Sequence, residues 1–209
     1  MEFQLAGEAL SIYFKYYKYI FQNVAVSLTN SQIIGIIGPN GSGKTTLLKI
    51  LCALIRPIKG NVTLRINNSI ISKDKYIDYV SLVAPYLNLY EEFTAYETIR
   101  LIAQFHQKLF NFQFANDLLK KFDLYKKRDD YIKTYSSGMK QRLRFVINFY
   151  QEPIIMLFDE PFTNLDDSGI KTLEELISER ISNGCGIIIA SNNLEEVKFC
   201  NSIVNLENQ

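Results

Sequence analysis

Histidine occurs once and cysteine only three times in the 209 residues. Cys52, Cys185 and Cys200 lie far apart, at spacings that build neither a disulfide framework nor a cysteine-ligated metal site, and are expected to be buried, reduced thiols. His106 falls in a helical stretch and reads as structural or exposed. No apolar run reaches the roughly 18 residues that a membrane span requires. The start, MEFQLAGEAL, lacks a basic segment followed by an apolar one, so no signal peptide is expected and the chain is placed in the cytoplasm. Excess charge is missing too: 23 Lys and Arg against 22 Asp and Glu leave a net charge of +1, so bulk charge points to no nucleic-acid partner. The richest basic stretch, residues 120–133, is interrupted by Asp123, Asp129 and Asp130 and reads as a solvated helix and loop. Internal repeats, low-complexity tracts and Pro/Gly-rich linkers are absent. With 47% hydrophobic and 22% charged residues, the chain reads as one globular domain with room for an inserted lobe.

What is present is concentrated in IIGIIGPNGSGKTTLLKI, residues 33–50. The run Ile33–Ile37 reads as a buried parallel strand. Gly38, Gly43, Lys44 and Thr45 satisfy the phosphate-loop pattern G-x-x-x-x-G-K-[ST]. A helix is expected to begin near Gly43, with Leu47, Leu48, Leu51 and Leu54 on its apolar side. Each part has a physical task. Across Gly38, Pro39, Asn40, Gly41, Ser42 and Gly43, backbone N–H groups can turn inward around phosphates. The helix start adds partial positive charge there. Lys44 would reach the β- and γ-phosphates, the Thr45 hydroxyl would ligate Mg²⁺, and Thr46 beside it is a further candidate nucleotide-binding residue.

The remaining chain alternates between strand and helix. Residues 10–28 read as two or three strands, and residues 61–66 and 76–84 as further strands. From about Tyr86 to Tyr150 helical spacing dominates, in Ile99, Ile102, Ala103 and Phe105, then Phe114, Leu118, Leu119 and Phe122, then Leu143, Phe145, Val146 and Phe149. Strands return at 154–158 and 186–190, separated by a helix over 167–181, and a short strand lies near residues 202–206. The fold class is therefore α/β: a parallel-sheet core, an N-terminal antiparallel β subdomain and an inserted α-helical lobe. The core is expected over 1–84 and 151–209, the lobe over 85–150.

IIMLFDEP, residues 154–161, is an apolar strand ending in two acids. Asp159, at a carboxyl strand end, is placed to hold Mg²⁺, and Glu160 could polarise a water for in-line attack on phosphorus. YSSGMKQRLRF, residues 135–145, has no task within a single phosphate site. Its Ser-Ser-Gly before a helix offers hydroxyls, open backbone N–H groups and a helix start, which makes a second anion-binding surface. If two copies met head to tail, that surface could close over the partner's γ-phosphate.

On these stretches the sequence resembles the ATP-binding subunit of ABC transporters, of a compact bacterial type. GPNGSGKTT looks like the Walker A motif and IIMLFDEP like Walker B with its catalytic glutamate. YSSGMKQR looks like the signature, carried by Tyr135, Ser136, Ser137, Gly138 and Met139, and TNLDD, residues 163–167, resembles the D-loop. The resemblance implies a sandwich in which each ATP lies between Walker A of one chain and the signature of the other, in a homodimer or heterodimer. It also implies a separate integral membrane subunit, contacted through Tyr86, Leu87, Leu89 and Tyr90, that would hold the chain on the inner face of the cell membrane. An upstream aromatic, Phe14 or Tyr16, would stack on adenine. A non-transport ABC ATPase acting on nucleic acid or ribosomes is the alternative. Its coiled-coil insertion, zinc cysteines or second cassette do not appear. A small-molecule kinase with a phosphate loop would leave YSSGMKQR and TNLDD unexplained.

Two positions depart from the family pattern. Ala84 or Pro85 stands where a glutamine usually touches Mg²⁺ and water, and Asn192 stands where a histidine usually meets the γ-phosphate. An asparagine amide donates a hydrogen bond but carries no proton. Either the site hydrolyses ATP slowly with Glu160, Lys44 and Asn192, or the chain is a mainly binding subunit beside a more active partner.

Overall fold

A computed structural model describes residues 1–13 and 19–207. Phe14 and Tyr16, the adenine-stacking candidates, lie outside the described residues. The chain divides into two compact units: residues 1–84, 154–161 and 179–209 form one, and residues 85–153 and 162–178 the other. No helix among the described residues is long and apolar enough to cross a membrane.

The first unit holds two sheets. Strands β1 (Phe3–Tyr13), β2 (Tyr19–Thr29), β4 (Lys59–Ile66) and β5 (Ser69–Ile71) form an antiparallel sheet in the order β2-β1-β4-β5. Among the described residues, the stretch expected as two or three strands falls in β1 and β2. Strands β3 (Ile33–Ile37), β6 (Val80–Val83), β7 (Ile155–Asp159), β8 (Gly186–Ser191) and β9 (Ser202–Asn205) form the other sheet, in the order β6-β7-β8-β3-β9. All its pairings are parallel, with Ile37 opposite Ser191 and Asp159 opposite Ala190. That register brings the carboxyl ends of β3, β7 and β8 to one edge, where such sheets bind ligands. Near-continuous burial of β7 and β8 explains their unbroken Ile, Leu, Phe and Ala runs. Helix α1 (Lys44–Leu51) adds Leu47, Leu48 and Leu51 to a core shared with Leu5, Phe21, Leu28, Ile36 and Leu157.

The second unit is built on α2 (Ala95–Phe105), α3 (Phe112–Lys121) and α4 (Ser137–Gln151). Thr94 and Glu97 form a reciprocal cap on α2, and Asn111 caps α3. Ala115, Leu118, Leu119, Leu143, Phe145, Val146 and Phe149 are buried, and Phe122 stacks on Phe145 at 5.9 Å. Helix α5 (Asp167–Ser182) begins in this unit and ends in the first.

Four local expectations need correction. Residues 76–84 are not one strand. A 3-10 turn spans Lys73–Asp78, closed by the bonds Lys75 N to Ser72 O and Tyr79 N to Tyr76 O, and only Val80–Val83 pair in the sheet. Leu54 is exposed, because α1 stops at Leu51 and Ala53 turns the chain with φ 61°. Phe105 is also exposed: it lies about 200° around the helix from buried Ala103 and faces away from the Ala95–Ile99–Ala103 stripe. Of the three cysteines, none in a disulfide among the described residues, Cys185 is buried and Cys52 and Cys200 are half-buried. Burial pushes all three up to about 11, so none is a nucleophile near neutral pH.

Candidate functional site

The loop after β3 meets the ends of β7 and β8 in the first unit. Gly43 caps α1 with φ 99°, a left-handed conformation that costs glycine little. A Cβ there would stand 2.4 Å from Ile20 Cγ2, so the turn tolerates no side chain. Lys44 is only 6% exposed and is held inward: its Nζ donates to Gly38 O at 2.7 Å and to Pro39 O at 3.3 Å. The same Nζ is 3.5 Å from Glu160 Oε1. Ser42 Oγ is buried without a hydrogen-bond partner among the described residues.

At the end of β7, Asp159 is 2% exposed. Its Oδ2 accepts from Thr45 Oγ1 at 2.5 Å, while the buried Oδ1 accepts no hydrogen bond among the described residues. Burial raises the Asp159 carboxyl above its ordinary range, opposed by the Thr45 bond and by Lys44 and Lys49. A free carboxylate oxygen beside a hydroxyl is a donor set suited to a hard cation such as Mg²⁺. The described residues hold no cluster of three or more His, Cys, Asp or Glu, so phosphate oxygens and water would have to complete the shell. Glu160 follows with φ 47°, fixed by its N–H donating to Ala190 O at 2.8 Å. A glutamate in the left-handed region stores strain, and such strain concentrates at functional sites.

β8 supplies the third side. Asn192, just beyond it, donates from Nδ2 to Asn40 Oδ1 of the phosphate loop at 3.4 Å. Ser191 is fully buried and bonds the acids around it. Ser191 and Glu196 were missed in the sequence; the one available signal was a serine closing an apolar strand at the sheet's carboxyl edge. Ala84 has no exposed surface and brings only a methyl group to the end of β6, and half-buried Pro85 follows it.

The second unit carries the other predicted residues. Ser136 caps α4, its hydroxyl accepting from Met139 N at 3.2 Å, and Ser136 and Ser137 are both exposed. An added Cβ on Gly138 would stand 2.9 Å from the Asn164 carbonyl oxygen, so this helix start has to be glycine for residues 163–167 to approach it. Arg142 donates to Asp166 Oδ1 at 2.5 Å, and the same oxygen accepts from Gly169 N at 2.9 Å, capping α5. Tyr86, Leu87 and Tyr90 are exposed; Leu89 is half-buried.

Comparison with known proteins agrees with this geometry. Residues 21–163 match the profile of the family described as ABC transporter. The chain is 29% identical over 189 residues to the uncharacterized ABC transporter ATP-binding protein YdbJ of Bacillus subtilis (strain 168), with 90% of this chain covered. It spans only 61% of YdbJ. It is 30% identical over 192 residues to the ABC-type transporter ATP-binding protein EcsA of the same organism, covering 90% of this chain and 78% of EcsA. A solved structure described as the ATP binding subunit of an ABC transporter superposes with a TM-score of 0.86 at 28% identity, over 98% of this chain and 86% of that one. By the profile over residues 21–163 and by these relatives, the chain belongs to the ABC transporter family, among its ATP-binding proteins.

Proposed function

We propose that the chain binds and hydrolyses ATP at a head-to-tail interface between two ATPase subunits and so powers a separate membrane subunit. The observation that carries this reading is the convergence on Lys44: its Nζ, tethered to the loop carbonyls, lies 3.5 Å from Glu160, beside the Thr45–Asp159 pair at 2.5 Å. The loop from Gly38 to Thr46 would surround the phosphates with backbone N–H groups, and Lys44 would turn from Gly38 O and Pro39 O onto phosphate oxygens. Thr45 and Asp159 would hold Mg²⁺, which when bound neutralises phosphate charge. Glu160 would orient water and take its proton, and Asn192 would donate to the γ-phosphate. Ser136, Ser137 and Gly138 would close on the nucleotide of the other subunit, using exposed donors at a helix start.

Tyr86, Leu87, Leu89 and Tyr90 would receive the membrane partner, which would hold the chain at the inner face of the membrane. Replacing Glu160 with Gln should stop phosphate release while leaving ATP bound; unchanged turnover would overturn the role given to Glu160. A second reading, a mainly binding subunit beside a more active one, draws on the buried methyl of Ala84 where a metal-touching side chain is usual. Turnover by the isolated chain separates the two.

A further inference from the structure

One hydroxyl at the end of β8 serves three groups. Ser191 Oγ donates to Glu196 Oε2 at 2.6 Å, accepts from Asn193 N at 3.0 Å and stands 3.5 Å from Glu160 Oε2. A serine hydroxyl has a single proton, and the shorter bond assigns it to Glu196. A hydroxyl bonded to a carboxylate at this length is charge-assisted and among the stronger hydrogen bonds a protein makes. Glu196 is itself firmly placed. It rides on the helical turn Leu194–Val197, whose start is capped by Asn193 Oδ1 accepting from Glu195 N at 3.1 Å. That turn presses on β3, where a Cβ on Gly35 would stand 2.8 Å from Val197 Cβ. Glu196 is thus anchored to the strand that leads into the phosphate loop. Its charged neighbours along the turn, Glu195 and Lys198, are engaged with each other.

We propose that Glu196 is a positioning residue for ATP hydrolysis, acting through the Ser191 hydroxyl on Asn192 and Glu160. The inference rests on the hydrolytic reading above. By holding the Ser191 proton, Glu196 fixes the 191–193 turn and therefore aims the Asn192 amide, 3.4 Å from Asn40, at the phosphate loop. It also keeps that proton away from Glu160. Without Glu196 the hydroxyl is free to donate to Glu160 Oε2 and to occupy the carboxylate lone pair that water needs. The cost falls on turnover, since the loop, Lys44 and Thr45 that bind nucleotide are untouched.

The test measures kcat, KM, nucleotide affinity and the melting temperature for the unmodified chain and for Glu196→Ala, Glu196→Gln, Ser191→Ala, the Ser191→Ala/Glu196→Ala double variant and Glu160→Gln. Misplacing groups that aim a reaction typically costs about 10- to 100-fold. Glu196→Ala is expected to lose about tenfold in kcat, with KM and nucleotide affinity within about twofold. Glu196→Gln, whose carbonyl still accepts the Ser191 bond, should stay within about threefold of the unmodified kcat. The double variant should be no slower than Glu196→Ala, because both changes break one link. Should Glu196→Ala not fold, Ser191→Ala carries the same expectation of lowered kcat at unchanged affinity. An unchanged kcat in Glu196→Ala overturns the inference. So does an equal loss in Ala and Gln variants that tracks a lowered melting temperature, which marks Glu196 as structural only. If the unmodified chain turns over no faster than Glu160→Gln, the hydrolytic reading fails and this inference falls with it. A normal Glu196→Ala beside a dead Glu160→Gln overturns this inference alone.

Discussion

The phosphate loop and the start of α4 are both helix N-termini introduced by glycine and serine, yet they treat their polar groups in opposite ways. At the loop the charges face inward: Lys44 and Asp159 are buried, and Lys44 is bonded to Gly38 O, Pro39 O and Glu160. At α4, Ser136 and Ser137 lie open to solvent, and the one capping bond, Ser136 to Met139 N, spans only the first turn of the helix. Buried polar groups have to be satisfied by the chain or a ligand, whereas exposed ones cost nothing unpaired. The first arrangement can therefore be completed by a small anion with its cation. The second is suited to a macromolecular surface that brings its own anion, which is the physical basis of the proposal that ATP lies between two copies.

The largest effect that would break this contrast is at Glu160. Glu160→Gln should lower phosphate release by at least about 100-fold, the usual size of a lost general base, while retaining ATP. Near-normal release would mean that the inward cluster is structural. Next in size is Gly43→Ala. With φ 99° and Ile20 Cγ2 in the way, the substitution should destabilise the fold by about 1–3 kcal/mol and weaken nucleotide binding, both measurable in one thermal titration with and without MgATP. Ser136→Ala should be milder, costing about 1 kcal/mol of stability as a lost cap. Its effect on ATP affinity of the lone chain should be negligible, and its effect on ATP-dependent association clear. Weakened binding in the lone chain would contradict the outward role of α4.

The smallest effect concerns Asp166. Its carboxyl is lowered from 3.8 to about 2, first by the Gly169 N–H bond and then by Arg142. A depressed value favours the folded state above the unfolded value and loses that contribution as pH falls through the folded one. The melting temperature should therefore drop between about pH 4 and pH 2 more steeply in the unmodified chain than in Asp166→Asn. Equal slopes would show that the bonds the Asp166 carboxylate accepts from Gly169 and Arg142 add nothing.

The legible parts of the molecule were those in which neighbours in sequence are neighbours in space. The phosphate loop spans residues 38–45 and the acids close β7, so spacing alone located both; the parallel core followed from the unbroken apolar runs of β3, β7 and β8. Local periodicity failed where a backbone turn overrode it. Ala53 at φ 61° swung Leu54 out, and the turn at Lys73–Asp78 took the first residues of the expected strand 76–84 from the sheet. Glu196 was illegible for another reason. It is an ordinary glutamate in a charged segment, and only the parallel pairing of β3 with β8 brings its turn onto Gly35 and its carboxylate to Ser191.

The most direct test is sedimentation of the Glu160→Gln chain with saturating MgATP, beside the same chain carrying Ser137→Arg. A species of twice the chain mass should form with ATP and be lost with the arginine, while both proteins bind nucleotide as single chains. A Glu160→Gln chain that holds ATP yet sediments as a monomer would contradict it.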